Sequence, residues 1–332
     1  MQLFLDSFGA YLGTRNGMFW VKPKHHEAHL FAMREVNAIF VTKGVSLSAG
    51  ALMLAIEHQI PVVLIDNIGH PVGQVWGGQF GSIATIRKNQ ALFSGDMRGM
   101  AWICDLLKQK VANQRRLLWR WSEREEVLEQ RPHIERAMKA ISAVVQNFDN
   151  WTPASSASFE AAAASFRGWE GTVSRFYFQG LAAIVPEKYA FEGRSKRPAY
   201  DAFNALLNYL YGFLYALTEL ALMKAGLDPC MGILHADQYN RPTLSYDCIE
   251  LWRHWAEETA IRLCVENRLP DDAFVLQSER EGIWLDKSGR AVATDAFLKF
   301  LDEKIDWKGQ TRRRSTHIDL EAQRLAALLK EY

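Results

Sequence analysis

The sequence predicts an α+β protein in which a small N-terminal β domain carrying one helix precedes a larger, all-helical C-terminal domain. Short β-rich runs separated by turn residues fill the segment 1–83. Apolar residues instead recur at helical spacing through the segment 84–332. With 332 residues, of which 48% are hydrophobic, the chain is long enough to bury a core in each of two domains.

The β domain is predicted from runs rich in β-branched and aromatic residues that end at Gly, Asn or Pro. One helix interrupts them, because Ser48 can cap a segment from Ala49 to Gln59 before Ile60-Pro61 ends it. We therefore expect a small sheet structure with a single helix. The predicted strands are Gln2 to Leu5, Met18 to Val21, Ala38 to Thr42, Pro61 to Ile65 and Val72 to Trp76.

From about Arg87 onward, turn residues become sparse and apolar residues repeat with the period of an α-helix. A short hairpin is predicted within Phe274 to Val292, with its turn signal at Asp286 to Gly289. The segment from Asn150 to Ser158 is predicted to be an interhelical loop. The predicted helices run from Gln90 to Trp121, Glu123 to Asn147, Phe159 to Ile184, Tyr200 to Ala225, Asp247 to Asn267, Thr294 to Lys304 and Asp319 to Lys330.

Composition narrows the class of protein. The longest apolar stretch, near Leu214 to Met223, is broken by polar residues and is shorter than the roughly 20 residues that a membrane span needs, so no transmembrane helix is expected. The N-terminus lacks the pattern of a signal peptide and the four cysteines lack zinc-site spacing, which predicts a cytoplasmic protein with reduced thiols. A net charge of +1 means that any DNA-binding surface must come from local basic clusters.

The densest group of chemically active residues lies between Gly232 and Arg253. His235 precedes a polar turn, and Asp247 and Glu250 follow three residues apart on a predicted helix, within reach of the His235 loop. Two carboxylates and an imidazole suit Mn²⁺ or Mg²⁺ with open water positions. For Asp247, a helix cap or dipole partner is an equally good interpretation. Glu250 sits among apolar residues, where a carboxylate needs a partner or a cation.

Two further segments are weaker candidates by themselves. Glu170 lies in an apolar helical stretch beside Gly171, and such a buried Glu is more often paired with an Arg, here Arg167 or Arg175, than bound to a metal. A basic loop precedes the helix that begins near Tyr200, and it suits contact with a phosphate backbone, although a solvated loop is the commoner outcome. The residues concerned are Arg194, Lys196, Arg197 and Asn204.

Basic residues also cluster on two other segments. The usual interpretation is a solvated helix face, but beside a metal site at least one cluster would follow a phosphate backbone. The clusters comprise Lys108, Lys110, Arg115, Arg116, Arg120 and Arg124, and then Lys308 and Arg312 to Arg314.

Taken together, these segments resemble a known family in order and spacing. Three segments resemble the signature series of CRISPR-associated protein one, the CRISPR adaptation integrase. They are Glu170 to Phe178 (EGTVSRFYF), Phe191 to Gly212 (FEGRSKRPAYDAFNALLNYLYG) and Gly232 to Arg253 (GILHADQYNRPTLSYDCIELWR). Two N-terminal segments are similar to that family's β domain. They are Asp6 to Gly13 (DSFGAYLG) and Val41 to Asp66 (VTKGVSLSAGALMLAIEHQIPVVLID).

The resemblance implies an N-terminal domain used for dimerisation and a helical catalytic domain that holds Mn²⁺ or Mg²⁺. The family's metal ligands correspond to Glu170, His235 and Glu250, and an acidic position close to the metal corresponds to Asp247. Arg253 matches the basic residue that ends the third segment and joins the candidate DNA contacts. The implied partners are DNA, as donor duplex and CRISPR repeat, a second copy of the chain, and CRISPR-associated protein two bridging two dimers.

The leading functional hypothesis is metal-dependent joining of the 3′-hydroxyl ends of short donor DNA to a repeat array by phosphodiester transesterification. One alternative is a DNA-binding scaffold with a non-catalytic metal site. The other is a general nuclease of branched repair intermediates, which needs the same residues and differs only in substrate and partner.

Overall fold

The structure is a computed structural model, and it describes residues 1–66, 71–75, 77, 83–196, 198–235, 239, 241–277 and 282–332. Two small sheets and one helix form the N-terminal part, and the rest of the described chain is mostly helical. The predicted fold class is therefore confirmed. The predicted dimerisation role of the N-terminal domain stays a prediction.

The N-terminal strands form two four-stranded sheets, ordered β1-β5-β7-β8 and β4-β3-β2-β6. In the first sheet β1, β5 and β7 are parallel and β8 is antiparallel. The helix α1 starts as predicted, because the Ser48 side chain accepts a hydrogen bond from the Ala51 N–H at 3.0 Å. The elements are β1 (Gln2–Leu5), β2 (Tyr11–Arg15), β3 (Met18–Lys22), β4 (His29–Phe31), β5 (Ala38–Thr42), β6 (Ser46–Leu47), α1 (Ala49–Glu57), β7 (Val62–Ile65) and β8 (Pro71–Val75).

The helical part contains nine α-helices and two antiparallel hairpins among the residues that the structure describes. Its α-helices are α2 (Ile83–Phe93), α3 (Met97–Ser122), α4 (Arg131–Asn150), α5 (Phe159–Ala182), α6 (Ala202–Lys224), α7 (Thr243–Cys248), α8 (Arg253–Val265), α9 (Lys287–Asp302) and α10 (Arg314–Lys330). The hairpins pair β9 (Phe274–Gln277) with β10 (Gly282–Leu285) and β11 (Lys304–Trp307) with β12 (Gln310–Arg313).

Several predicted helix boundaries are wrong; the predicted helix from Asp247 to Asn267, for example, is divided into α7, a 3-10 turn (Ile249–Leu251) and α8. Two of the differences have a clear local reason. The first long helix divides into α2 and α3, because Asp96 caps a new helix by accepting from the Arg98 N–H at 2.8 Å. The predicted hairpin turn at Asp286 to Gly289 is instead the start of α9. Gly289 is needed there for close packing, since a Cβ on it would lie 2.6 Å from the Ala273 carbonyl oxygen.

The sheet that contains β5 joins the two parts of the molecule. Successive residues of a strand point to opposite faces, so Ile39 packs into the N-terminal core while Phe40 packs into the large helical core. Phe4, on the neighbouring strand, has its ring centroid 4.9 Å from that of Phe213 on α6. One face of this sheet is therefore held against α6 of the helical part.

Helix α6 is the centre of the helical core. It is the one described helix that is long and apolar enough to cross a membrane, but 78% of its most apolar window is buried inside the protein. An all-round apolar helix of this kind fits the interior of a large helical fold. Helix α6 packs against α7, α8, α9 and α10, and α3 in turn packs against α5 and α8.

Candidate functional site

A lysine on α3 lies at the centre of the site. Lys110 has 3% of its side chain exposed and follows the buried residues Leu106 and Leu107 at helical spacing, so the helix turns it into the core. A buried ammonium is costly unless it is paired. The sequence-based interpretation of Lys110 as part of a solvated or phosphate-binding cluster is therefore wrong.

Two of the predicted metal ligands pair with that lysine. Glu170, on α5, places Oε1 2.5 Å from Lys110 Nζ. Glu250, in the 3-10 turn Ile249–Leu251 between α7 and α8, places Oε2 2.6 Å from the same nitrogen. The two carboxylates, which lie far apart in sequence, thus converge on one cation position. Glu170 pairs with this lysine and not with Arg167 or Arg175.

Arg253 holds Glu250 from the other side. Its Nε donates to Glu250 Oε1 at 2.7 Å, and its Nη2 donates to the Tyr215 hydroxyl at 2.8 Å. Burial alone would raise the pKa of Glu250, but Arg253 and Lys110 together outweigh it and lower this pKa to about 2. Glu250 is therefore an anion at neutral pH. Arg253 is engaged by these contacts, and its predicted contact with DNA stays a prediction.

His235 and Asp247 form a second group of polar contacts. The Asp247 side chain is buried and accepts the backbone N–H groups of Ile233, Leu234 and His235 at 2.7, 3.2 and 3.2 Å. Its Oδ1 also lies 2.7 Å from His235 Nδ1. Asp247 thus fixes both the loop and the imidazole, and it leaves Nε2 as the ring nitrogen available to a ligand. The helix-cap interpretation of Asp247 does not apply, because α7 begins at Thr243.

The carboxylate pair fits a divalent cation in chemistry and placement. Oxygen donors are what Mn²⁺ and Mg²⁺ prefer, and Glu170 and Glu250 already surround one positive charge. In the described chain, however, no three His, Cys, Asp or Glu side chains are grouped closely enough to hold a metal ion. The structure therefore brings Glu170 and Glu250 together, and it places His235 with Asp247 in a separate contact. His235 as the third ligand stays a prediction.

The predicted basic loop lies near the carboxylate pair. Arg194 donates to Asn204 Oδ1 at 2.8 Å and to Asn208 Oδ1 at 2.6 Å. Lys196 keeps an exposed side chain, and partial desolvation together with the like charges of Arg253 and Arg194 lowers its pKa. Lys196 is therefore an accessible cation of this loop. Arg197 lies outside the described residues.

Asn204 has a structural role instead of the predicted DNA contact. It is fully buried, and its amide nitrogen donates to the Gly193 carbonyl at 2.7 Å and to Asp201 Oδ2 at 2.5 Å. Its amide oxygen accepts from Ser195 N–H at 3.0 Å and from Arg194. With both ends of the amide engaged, Asn204 organises the basic loop and has no surface to offer DNA.

The two further basic clusters meet around His254. Burial, followed by the charges of Arg120, Arg314 and Arg116, lowers the pKa of His254 to about 3. Arg116 remains exposed, whereas Arg120 forms an ion pair with the buried Glu258. Arginines from segments that are far apart in sequence therefore lie near His254, although Arg314 is only 12% exposed and pairs with Glu303. His254 lies on α8, the helix that begins just after Glu250.

A family model described as CRISPR associated protein Cas1 matches residues 3–299. The chain belongs to the Cas1 family. It is 29% identical over 343 residues to a CRISPR-associated endonuclease Cas1 of Archaeoglobus fulgidus, and the match covers 99% of this chain and 96% of the relative.

Solved structures share the fold of this Cas1-family chain. A Cas1 protein from Thermotoga maritima aligns with a TM-score of 0.79 at 18% identity, over 99% of this chain and 97% of the other. A casposase bound to integration product aligns with a TM-score of 0.79 at 19% identity, covering 99% and 90%. A Cas6-RT-Cas1–Cas2 complex gives 0.78 at 22% identity, with all of this chain matching 35% of a longer chain. At these identities the likenesses show the fold alone.

Lys110 is the residue of this Cas1-family site that sequence reasoning missed. The signal was its phase in α3, because Lys110 follows Leu106 by four residues and immediately precedes Val111, both of which are buried. A lysine on the apolar face of a helix requires a buried anion. The pattern thus indicated a partner for Lys110, but only the fold identifies Glu170 and Glu250 as that partner.

Proposed function

We propose that this chain is a divalent-metal-dependent DNA integrase and endonuclease of CRISPR adaptation, which joins the 3′-hydroxyl ends of short donor DNA to a repeat array. The observation that carries the proposal is the convergence of Glu170 and Glu250 on one buried cation position. Membership of the Cas1 family and the fold shared with a casposase bound to integration product support it.

In this proposal Glu170, Glu250 and the Nε2 atom of His235 hold Mn²⁺ or Mg²⁺. Such an ion polarises a scissile phosphate and helps to activate a 3′-hydroxyl. Asp247 keeps the imidazole oriented, since its carboxylate holds Nδ1 and three neighbouring backbone N–H groups. Arg253 keeps Glu250 ionised and in place.

Binding of DNA is proposed to use positive charge beside the carboxylates. Lys196 is exposed and close enough to Arg194 and Arg253 for their charges to lower its pKa. A phosphate placed there would relieve this repulsion, because it adds a negative charge among like cations. Exposed basic side chains near His254, such as Arg116, would extend the contact along the DNA backbone.

The proposed assembly is a homodimer formed through the N-terminal domain, with two dimers bridged by CRISPR-associated protein two. The solved Cas6-RT-Cas1–Cas2 complex supports this partner. Partner binding should appear as a change in sedimentation when the two purified proteins are mixed.

The test is joining of a labelled donor duplex to a plasmid that carries a CRISPR repeat, with Mn²⁺ or Mg²⁺ and with or without the partner protein. Glu170→Ala and His235→Ala should abolish joining and retain most DNA affinity. Glu160→Ala is the matched control, since Glu160 is an exposed acid on the same helix as Glu170. Full joining by either site variant, or by the wild type in excess EDTA, would contradict the proposal.

The same assay separates the two alternatives. A DNA-binding scaffold would retain the duplex but neither cut nor join it under any metal condition. A general nuclease of repair intermediates would cut branched DNA without requiring a repeat sequence, so a plasmid that lacks the repeat distinguishes it from an integrase.

A further inference from the structure

The ammonium of Lys110 lies directly between the two carboxylates of the site. Its nitrogen is 2.5 Å from Glu170 Oε1 and 2.6 Å from Glu250 Oε2, and its side chain is almost fully buried. The two acids come from α5 and from the turn before α8, whereas the lysine comes from α3. Three separate elements therefore place one positive charge at the point shared by two anions.

This arrangement is the geometry of a bridging cation. Divalent ions bind carboxylate oxygens at about 2.0–2.6 Å, so a metal ion bridging Glu170 and Glu250 would occupy nearly the position of the Lys110 nitrogen. Both cannot fit there, because their centres would nearly coincide. Each would also satisfy the same two carboxylates, whose burial requires a counter-charge.

Arg253 differs from Lys110 in this respect. It binds the other oxygen of Glu250, Oε1, and is also held by the Tyr215 hydroxyl and packed against the Tyr211 ring, 4.9 Å from its centroid. A guanidinium fixed at several points has little freedom to leave, whereas a lysine is a point charge on a flexible four-carbon stem. Lys110 is therefore the cation that can be exchanged.

We propose that Lys110 is the built-in counter-cation of the metal position, which holds Glu170 and Glu250 together until a divalent ion displaces its ammonium. This inference rests on the proposed function, because it assumes that the carboxylate pair is the metal site. It adds that metal affinity is set by competition with a side chain of the same chain. It also explains how a buried acid, Glu250, and a partly exposed one, Glu170, stay close together without a metal ion, since one ammonium neutralises their mutual repulsion.

The direct test is equilibrium binding of Mn²⁺, followed by the electron paramagnetic resonance signal of the free ion, for the wild type and for Lys110→Met. Methionine keeps the unbranched shape and removes the competing charge. We expect Mn²⁺ affinity to rise by about tenfold or more, since about 1.4 kcal/mol of competition corresponds to a factor of ten. Equal or weaker binding in Lys110→Met would overturn the proposal.

Lys108→Met provides the matched control. Lys108 lies on the same helix with about a third of its side chain exposed, and its ion pair with Asp149 is 3.5 Å long. Its replacement removes one positive charge from α3 without touching the carboxylate pair. Mn²⁺ affinity should therefore be unchanged, and an equal rise in both variants would show a general charge effect and contradict the specific role of Lys110.

A second measurement needs no variant and so does not depend on Lys110→Met folding. Acetylation of lysines by an amine-reactive ester, read by mass spectrometry, should find Lys110 protected in EDTA and labelled several-fold faster with saturating Mn²⁺. Labelling of Lys108 should be the same in both conditions. Unchanged protection of Lys110 at saturating Mn²⁺ would overturn the proposal.

Failure of this inference is distinguishable from failure of the proposed function. If wild-type Mn²⁺ binding is lost in Glu170→Gln and Glu250→Gln but is unaffected by Lys110→Met, the metal site stands and the competition is refuted. If Mn²⁺ binding does not depend on either glutamate, the proposed metal site itself is refuted.

Discussion

The carboxylate pair around Lys110 and the His235–Asp247 loop are two acidic centres of opposite construction. The first joins residues from α3, α5 and the turn before α8, and it is closed by ion pairs inside the core. The second is made within one segment, where residues only 12 apart in the chain are linked by hydrogen bonds. Its imidazole remains 42% exposed.

The carboxylate pair around Lys110 is part of the folded core, whereas the His235–Asp247 loop mainly orients a side chain towards a ligand. Removing a charge from the buried pair leaves another charge uncompensated inside the core, which is strongly destabilising. Removing the Asp247 carboxylate leaves neutral backbone N–H groups without their acceptor, and it frees an imidazole that is already 42% exposed. We therefore expect the first centre to couple function to global stability, and the second to affect function with a smaller cost in stability.

The largest effect should come from Glu250→Ala. It leaves Lys110 and Arg253 buried with only Glu170 nearby, so we expect loss of joining and a decrease of about 3 kcal/mol in the free energy of unfolding. Glu170→Ala should also abolish joining, but with a decrease nearer 1 kcal/mol, because its side chain is 29% exposed. Urea denaturation of both variants measures the contrast. Equal costs would refute the distinction between a buried and a half-open acid.

Acid should weaken the buried pair in a defined range of pH. The folded pKa of Glu250 is about 2, below the ordinary value of 4.5. Its contribution to stability is therefore complete above pH 4.5 and lost as the pH falls towards 2. The shift corresponds to about 3 kcal/mol, roughly a factor of 300 in the folding equilibrium.

Urea midpoints measured from pH 7 down to pH 3 should fall more steeply for the wild type than for Glu250→Gln, which cannot titrate at this position. Parallel curves for the two proteins would show that Glu250 is not held ionised by Lys110 and Arg253.

Asp247→Asn sharpens the other side of the comparison. The amide keeps the size of the side chain but accepts fewer hydrogen bonds from the loop, so His235 loses its fixed orientation. We expect joining to fall about 10- to 100-fold, as for other residues that orient a ligand. Asp149→Asn, an exposed substitution on α4, serves as the control. Unchanged joining by Asp247→Asn would remove His235 from the proposed site.

The smallest effect should come from Lys196→Ala. As an exposed cation beside the site it is expected to make one phosphate contact, so DNA affinity should fall about two- to fivefold. The slope of log affinity against log salt concentration should become less steep by about one phosphate contact. Lys299→Ala, exposed on α9 and paired with Asp295 at 2.8 Å, should leave both quantities unchanged. An unchanged salt dependence for Lys196→Ala would argue against a phosphate contact.

The features of the fold and of the site that could be predicted are those that neighbouring residues in the sequence determine. The position of α1 follows from the Ser48 cap and the Ile60-Pro61 stop, and the fold class follows from the change of periodicity after residue 83. The need of Glu250 for a partner or a cation was also predictable, because a carboxylate between Ile249 and Leu251 is costly to bury unpaired.

The remaining features depend on tertiary packing. Nothing in the local sequence of Lys110 specifies that Glu170 and Glu250 approach it from two other elements. Asn204 carries the polar side chain of a surface contact, yet the fold buries it within the loop that it organises. The role of Asp247 was ambiguous for the same reason, since a short acid near a helix end either caps it or binds a distant loop, and only the path of the chain decides.

The most direct test of the central claim is a crystal structure grown with Mn²⁺ and analysed by anomalous scattering at the manganese edge. We expect a single strong peak between Glu170 and Glu250, with His235 Nε2 as a further ligand and the Lys110 ammonium moved out of the bridging position. An anomalous peak elsewhere in the protein, or Lys110 still bridging the two carboxylates at saturating Mn²⁺, would contradict it.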